Sequence, residues 1–215
     1  GIIFGSIASG QWIVFLKFWN SIPFNIVDPV FGKDASFYVF TLELYKLVHS
    51  WILGGAITIL IATIAMYIVN FGLRGVGFVF TTGIKIQISV IAAFIMIVLS
   101  LGHWLDRWDL VLSDQGVVFG ATYADIHARK IALLIMTIIA IASGVLILIN
   151  AYMRGIRLLA GAAILWVVMT ILLGSLWPNA VQRLQVNPQE FAKEKPYIAE
   201  NIKFTKIGYG LSDVK

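Results

Sequence analysis

Four stretches of this sequence, residues 47–69, 84–102, 131–149 and 158–177, are almost unbroken runs of Ile, Leu, Val, Ala, Phe, Met and Gly. As a helix rising about 1.5 Å per residue, each reaches across roughly 30 Å of hydrocarbon. A lipid interior offers no hydrogen bonds to a backbone, so such runs must satisfy their own amides as helices. The fold class predicted is therefore all-α: a polytopic helical membrane protein with four transmembrane helices plus interfacial and extracytoplasmic helices. The composition agrees, with 60% hydrophobic and only 13% charged residues.

The same composition excludes several functions. With no cysteine there is no disulfide framework and no thiolate metal site. The net charge of +5 is spread over loops without a basic block, which argues against nucleic acid as a partner. No Asp, Glu, Arg or His lies in the middle of any span, whereas ion-coupled carriers place such groups at mid-membrane depth. Lys85 stands where the second span begins and is expected to snorkel. Gly54, Thr58 and Ala62 in the first span, and Thr170 and Gly174 in the last, recur four apart and predict close helix faces.

Residues 1–41 read as an interfacial helix followed by an outer loop. From Ser9, Trp12, Leu16 and Trp19 form an aromatic and apolar stripe, and a crossing by residues 2–18 is the alternative. Asp28-Pro29 and Gly32 signal a turn, in which Asp28 and Asp34 balance Lys33. Phe37, Tyr38 and Phe40 suit an interface belt. The chain opens on Gly1 without a basic leader and is expected to be part of a longer protein.

Residues 42–178 hold the four spans, with a polar outer connector at 103–130. Arg74, Lys85, Arg154 and Arg157 place loops 70–85 and 150–157 in the cytoplasm, leaving 103–130 and the C-terminus extracytoplasmic. Asn70 to Gly75 echoes Asn150 to Gly155, either as an old duplication or because Gly and Arg both favour helix ends. The candidate functional or structural cluster lies in the connector: His103, Asp106, Arg107, Asp109, Asp114 and Asp125. His103, Asp106 and Arg107 share a helix face at i, i+3, i+4, the spacing of a two-ligand metal site or an oriented base. A functional metal site needs three or more ligands, so an interfacial helix end anchored by Trp104 and Trp108 is preferred. Thr122 to Asp125 fits a capping box, which makes Asp125 a helix start. His49 and His127 raise a bis-histidine haem, but neither depth nor spacing supports it. Ala8-Ser9-Gly10 lacks the turn of an intramembrane serine protease. No cofactor, metal site or catalytic residue is predicted.

Residues 179–215 form a soluble amphipathic exit segment. Asn187, Pro188 and Glu190 predict a helix start at N-cap, N1 and N3, an end near Pro196, and a second helix stopping at Gly208 or Gly210. The connector is expected to pack under residues 182–206. Asp106 and Arg107 would pair there with Arg183, Glu190 or Lys193, although buried Trp104, Trp108, Phe119 and Tyr123 should contribute more.

Longer strings point to a family. Asp28-Pro29 with Phe31-Gly32 and Asp34, Phe37 to Phe40, Leu105-Asp106-Arg107, Gly116-Val117, Gly120-Ala121, and Tyr123 with Asp125 are irregular and specific. So are Pro188, Glu190, Glu194, Pro196-Tyr197-Ile198, Asn201-Ile202, Thr205 and Tyr209-Gly210-Leu211. Over nearly its whole length the chain resembles bacterial and archaeal multi-pass membrane proteins grouped as uncharacterised protein family 0182, departing at Gln189 where Asn is usual. The resemblance implies about seven spans and, after the Tyr-Gly-Leu string, a large extracytoplasmic domain. It carries over no catalytic residue. Three functions are compatible. The first is an integral membrane anchor or scaffold subunit docking an extracytoplasmic domain or partner complex. The second is a channel or a lipid or envelope-precursor transporter, and the third an envelope enzyme using the acidic and histidine loop 103–114. The partners expected are the lipid bilayer, the protein's own C-terminal extracytoplasmic domain and a membrane complex, in the plasma membrane.

Overall fold

A computed structural model describes residues 5, 9–75, 81–114, 119–153 and 157–211. Among them the chain is helical, and its one β feature is an isolated antiparallel bridge between Val27 and Asp34. The helices are α1 (Trp12–Trp19), α2 (Phe37–Leu73), α3 (Thr82–Leu112), α4 (Asp125–Tyr152), α5 (Arg157–Ile171), α6 (Trp177–Val181) and α7 (Glu190–Gly208). Among the described residues four helical stretches are long and apolar enough to cross a membrane: α2, α3, α4 and the run Leu158–Gly208, which takes in α5 from its second residue, α6 and α7. Their starts and ends extend beyond the apolar runs of the sequence, because a helix continues past hydrocarbon wherever capping and packing allow.

The helices run up and down. Lys46 near the start of α2 pairs with Asp109 near the end of α3, while Tyr67 at the far end of α2 donates to Gln87 at the start of α3. Lys85 at the start of α3 donates to the Met153 carbonyl just past α4. At the opposite end, Val181 and Val186 pack against Ala124 and Ala128 at the start of α4. One end of the bundle, the cap end, thus gathers the starts of α2 and α4 with the ends of α3 and of the last run. Trp12, Leu16 and Trp19 of α1 all face outward, Trp19 being 84% exposed, and Lys17 reaches Glu43 at 3.6 Å. The alternative crossing by residues 2–18 falls largely outside the described residues.

Of the two faces the sequence suggested, the one at Gly174 meets α4, where an added Cβ would stand 3.8 Å from Met136 Sδ, and the one at Gly54 does not pack. A Cβ placed on Gly54 would meet nothing within 4 Å, and Thr58 spends its hydroxyl on the Gly54 carbonyl. The tight seam lies between α3 and α4, where Ala93, Met96, Ala140 and Ile147 form the core with Ala162 of α5. A Cβ on Gly144 would stand 3.3 Å from the Ala93 carbonyl oxygen. Ser89 and Ser143 are fully buried in the same region, so small residues here let two backbones approach. Lys85 does not snorkel. It is buried and donates to the carbonyl end of α4, where the helix dipole favours a cation.

The helix end expected near Pro196 is absent, and the chain stays helical through Pro178 as well. The helix passes Trp177-Pro178 because a wide π turn, Leu172–Leu176, ends just before, leaving Pro178 in the first turn of α6 where its missing N–H is not needed. A second π turn, Gln182–Val186, and a 3-10 turn, Asn187–Gln189, lead into α7, so Asn187 is not its N-cap. Gln182 Nε2 instead donates to the Asn187 side chain at 3.3 Å. Pro196 lies inside α7, on an exposed stretch where the Ala192 carbonyl it orphans can meet water. Of the internal echo, Arg74 and Gly75 do close α2, with Gly75 at φ +62°. Residues 154–156 lie outside the described residues.

These packing faces predict a contrast. Gly144→Leu would drive a side chain into backbone that cannot yield, at a cost of about 1–3 kcal/mol, whereas Gly54→Leu should change stability by about 0.5 kcal/mol or less. Thermal unfolding of the two variants in detergent measures the difference, and equal losses would mean that the seam is misplaced.

Candidate functional site

The first wall of the site is a turn built on one carboxylate. Asp28 is only 4% exposed, yet both its oxygens are occupied. Oδ1 accepts from the Val30 N–H at 2.7 Å and the Phe31 N–H at 2.9 Å, and Oδ2 from the Lys33 N–H at 3.0 Å and the Tyr38 hydroxyl at 2.6 Å. Pro29 pre-sets the turn and Gly32, at φ +65°, supplies the left-handed step that lets the chain fold back. Lys33 is not the counter-ion the sequence suggested. Its Nζ lies 5.6 Å from the Phe37 ring centroid, while Asp34 accepts from the Phe24 N–H at 3.0 Å and the Ser36 N–H at 2.8 Å. The Ser36 hydroxyl first, and then these amides, hold the Asp34 carboxyl down at about 2.

The second wall is the connector with the start of α4. The expected capping box forms: Asp125 accepts from the Thr122 N–H at 3.1 Å and hydroxyl at 2.9 Å, and the Asp125 N–H donates to the Thr122 oxygen at 3.1 Å. Asp125 is 1% exposed and also holds Arg129 at 3.1 Å. Two residues before Asp125, Tyr123 is the point where α7 attaches. Its N–H donates to both Glu194 oxygens at 3.2 Å, its hydroxyl accepts from Lys193 at 3.2 Å, and its ring stacks on His127 at 4.0 Å. Tyr197 meets the same ring edge-on at 6.5 Å, and further along α7 Asn201 donates to the Phe119 carbonyl. The connector and residues 182–206 are thus in contact, through Tyr123 as expected and through main-chain groups; the expected ion pairs are not made, and Trp104 and Phe119, expected to be buried there, are exposed.

The other candidate residues take separate contacts. Asp109 pairs with Lys46, Asp106 is exposed, and Arg107 lies 3.7 Å from the Trp104 ring centroid. His103 sits beside Trp166, with ring centroids 6.3 Å apart, and Asp114 is exposed. His49 bonds the Val98 carbonyl at 2.9 Å and His127 the Tyr123 carbonyl at 3.1 Å, so each has a local structural contact. Among the described residues no three His, Asp or Glu side chains converge as a metal would require. Ser113 to Gly116 reads as a turn in the sequence, and part of it lies outside the described residues.

Between the two walls is what residue-by-residue reading missed: a cavity of about 580 Å³. Its floor is Val111 and Leu112 at the end of α3, its sides the Asp28 turn with Val39 and the stretch Phe119 to Ala121, and its roof α7 from Pro196 to Phe204. Lys130 and Glu200 are the charged side chains at its edge besides Asp28. Lys130 Nζ lies 4.7 Å from the Phe31 ring centroid. The signal was present as strings, since Asp28-Pro29, Gly120-Ala121 and Pro196-Tyr197 all line this one space; no periodicity connects them.

The turn yields a test with two readouts. Asp28→Ala would orphan three main-chain donors and a buried hydroxyl, and about 3 kcal/mol or more of stability should be lost, as hydrogen bonds to a charged acceptor contribute about 1.5–3 kcal/mol each. Asp34 is depressed, so its contribution is complete above its ordinary 3.8 and disappears as the pH falls through about 2. Stability curves of the wild type and Asp34→Asn should therefore converge at that acid limit and separate above it. A constant separation down to the lowest pH would contradict the assignment.

Comparison with known proteins assigns the chain as a whole. The family model described as Uncharacterised protein family (UPF0182) matches residues 1–215. A UPF0182 protein of Desulforamulus reducens is 37% identical over 218 residues, covering 100% of this chain and 23% of that protein. The UPF0182 proteins of Moorella thermoacetica (35% identical, 99% of this chain and 24% of the relative) and Trichodesmium erythraeum (36%, 96% and 23%) are similar. The chain thus spans about a quarter of the length of these relatives. No solved structure matches it. Matched from end to end by the family model and by these relatives, the chain belongs to the uncharacterised protein family UPF0182.

Proposed function

We propose that this chain is a membrane-embedded part of a longer protein and serves as an anchor or scaffold that seats an extracytoplasmic portion or a partner complex. The observation that carries this reading is the attachment of α7 to the connector: Glu194 on the Tyr123 amide, Lys193 on the Tyr123 hydroxyl and Asn201 on the Phe119 carbonyl. Three contacts spaced along α7 set both its position and its direction, so whatever follows leaves at a defined angle. The apolar spans favour an embedded role, since α2 and the run after Arg157 expose most of their Ile, Leu and Val side chains and lipid tails would cover them. Arg74 on the side away from the cap, against the acidic connector, supports a cytoplasmic loop end and an extracytoplasmic cap in the plasma membrane.

The absence of cysteine makes the arrangement directly testable. In the full-length protein, rendered free of other cysteines, Phe119→Cys with Asn201→Cys should be joined by a short thiol crosslinker in membranes, and the join should fade when Tyr123→Ala and Glu194→Ala free α7. Ser113→Cys should take an impermeant thiol label from outside intact cells. Failure of the crosslink would remove the seat, and labelling from the cytoplasmic side alone would reverse the orientation.

A further inference from the structure

We infer that the cavity beneath α7 is a binding site for an acyl chain carried under an anionic headgroup. The argument starts from what the space is made of. Val39, Val111, Leu112, Ile126 and Phe204 give it apolar walls, and its volume of about 580 Å³ falls within the roughly 300–1,000 Å³ of small-molecule sites. Its walls are braced independently of any occupant: Asp28 saturates four donors on one side, the Thr122–Asp125 box fixes another, and Asn201 ties α7 to the connector above. A cavity held open by satisfied polar groups does not collapse to bury its own lining.

Charge selects the head. Lys130 stands at the edge, its ammonium over the Phe31 ring and with no carboxylate within ion-pair distance among the described residues. A cation half-desolvated on an aromatic face gains from an anion that can reach it. Glu200, the other charged group at the edge apart from Asp28, is engaged by Lys203 at 3.4 Å. The level of the site selects the tail. The floor, Val111 and Leu112, lies where α3 ends and α4 begins, at the cap end of four helices long and apolar enough to cross a membrane, the end to which an amphiphile among those helices would bring its headgroup.

Two sources share this chemistry, a phospholipid and a free fatty acid. The full-length protein in nanodiscs would be exposed to a photoactivatable phosphatidylglycerol in one arm and a photoactivatable palmitate in the other, and the labelled peptides mapped by mass spectrometry. Label from either probe on residues 111–112, 119–130 or 196–204 is the expected result, and the arm that gives it names the source. Ala121→Trp, which fills the space, should reduce that label about tenfold while label on the exposed face of α2 is unchanged. Lys130→Gln should reduce it about fivefold, the scale of one semi-exposed charge contact, and a variant with an unchanged unfolding temperature keeps the result readable if Ala121→Trp fails to fold. Label confined to the outer faces of α2 and α5, label indifferent to both substitutions, or a peptide from the protein's own downstream chain crosslinked in the cavity would each overturn the inference.

Discussion

Everything in this chain is referred to the approach of two backbones, α3 and α4, at Gly144 and Ala93. In an apolar medium helices gain nothing from hiding one greasy face against another, since lipid is as good a cover; what holds them is contact density and interhelical hydrogen bonds. The 3.3 Å clearance at Gly144 supplies the first and Lys85 on the Met153 carbonyl the second. With that pair fixed in antiparallel register, α2 is set by Lys46 on Asp109, and the run after Arg157 is set by Val181 and Val186 against Ala124 and Ala128. The cap is a consequence of this register, because only then do the ends of α3 and the start of α4 meet the Asp28 turn.

How much of this was legible can be judged from particular residues. The four apolar runs reported helices and their number, since the physics of an unsatisfied amide in hydrocarbon leaves no alternative. The Thr122–Asp125 box was legible because capping is local: four consecutive residues contain both donors and both acceptors. Packing was not. Gly54, Thr58 and Ala62 carry the same small-residue spacing as the face that packs, and nothing within α2 itself says whether a partner helix is opposite. That the helix continues through Pro178 was hidden for a related reason. A π turn before Pro178 changes which amide is missed, and π turns leave no signature in residue type.

The candidate site was legible in its parts and not as a whole. Asp28 reads as a turn residue from Asp-Pro and the following Gly, but that its carboxylate also binds Tyr38 ten residues later is a tertiary fact. The connector stands out in the sequence for its charges, yet Arg107 lies over a ring and Asp109 on a lysine. Tyr123, notable in the sequence for its ring, matters at least as much through its main-chain N–H. The cavity needs five segments brought together from residues 28 to 204, and no single one of them is apolar enough to announce it.

The π turns have one more effect. Among the described residues they occur at Phe37–Thr41, Asp125–Arg129, Leu172–Leu176 and Gln182–Val186, all toward the cap end. Each wide turn takes up an extra residue, and one residue of an α-helix amounts to about 100° of rotation. The two in the last run therefore act as phase shifters: below them the helix shows an apolar face outward, above them it aims α7 at Tyr123. The length of chain between Leu172 and Val186 is then as constrained as its composition. Loss of a single residue there would leave every side chain type in place and still turn Glu194 and Asn201 away from the connector.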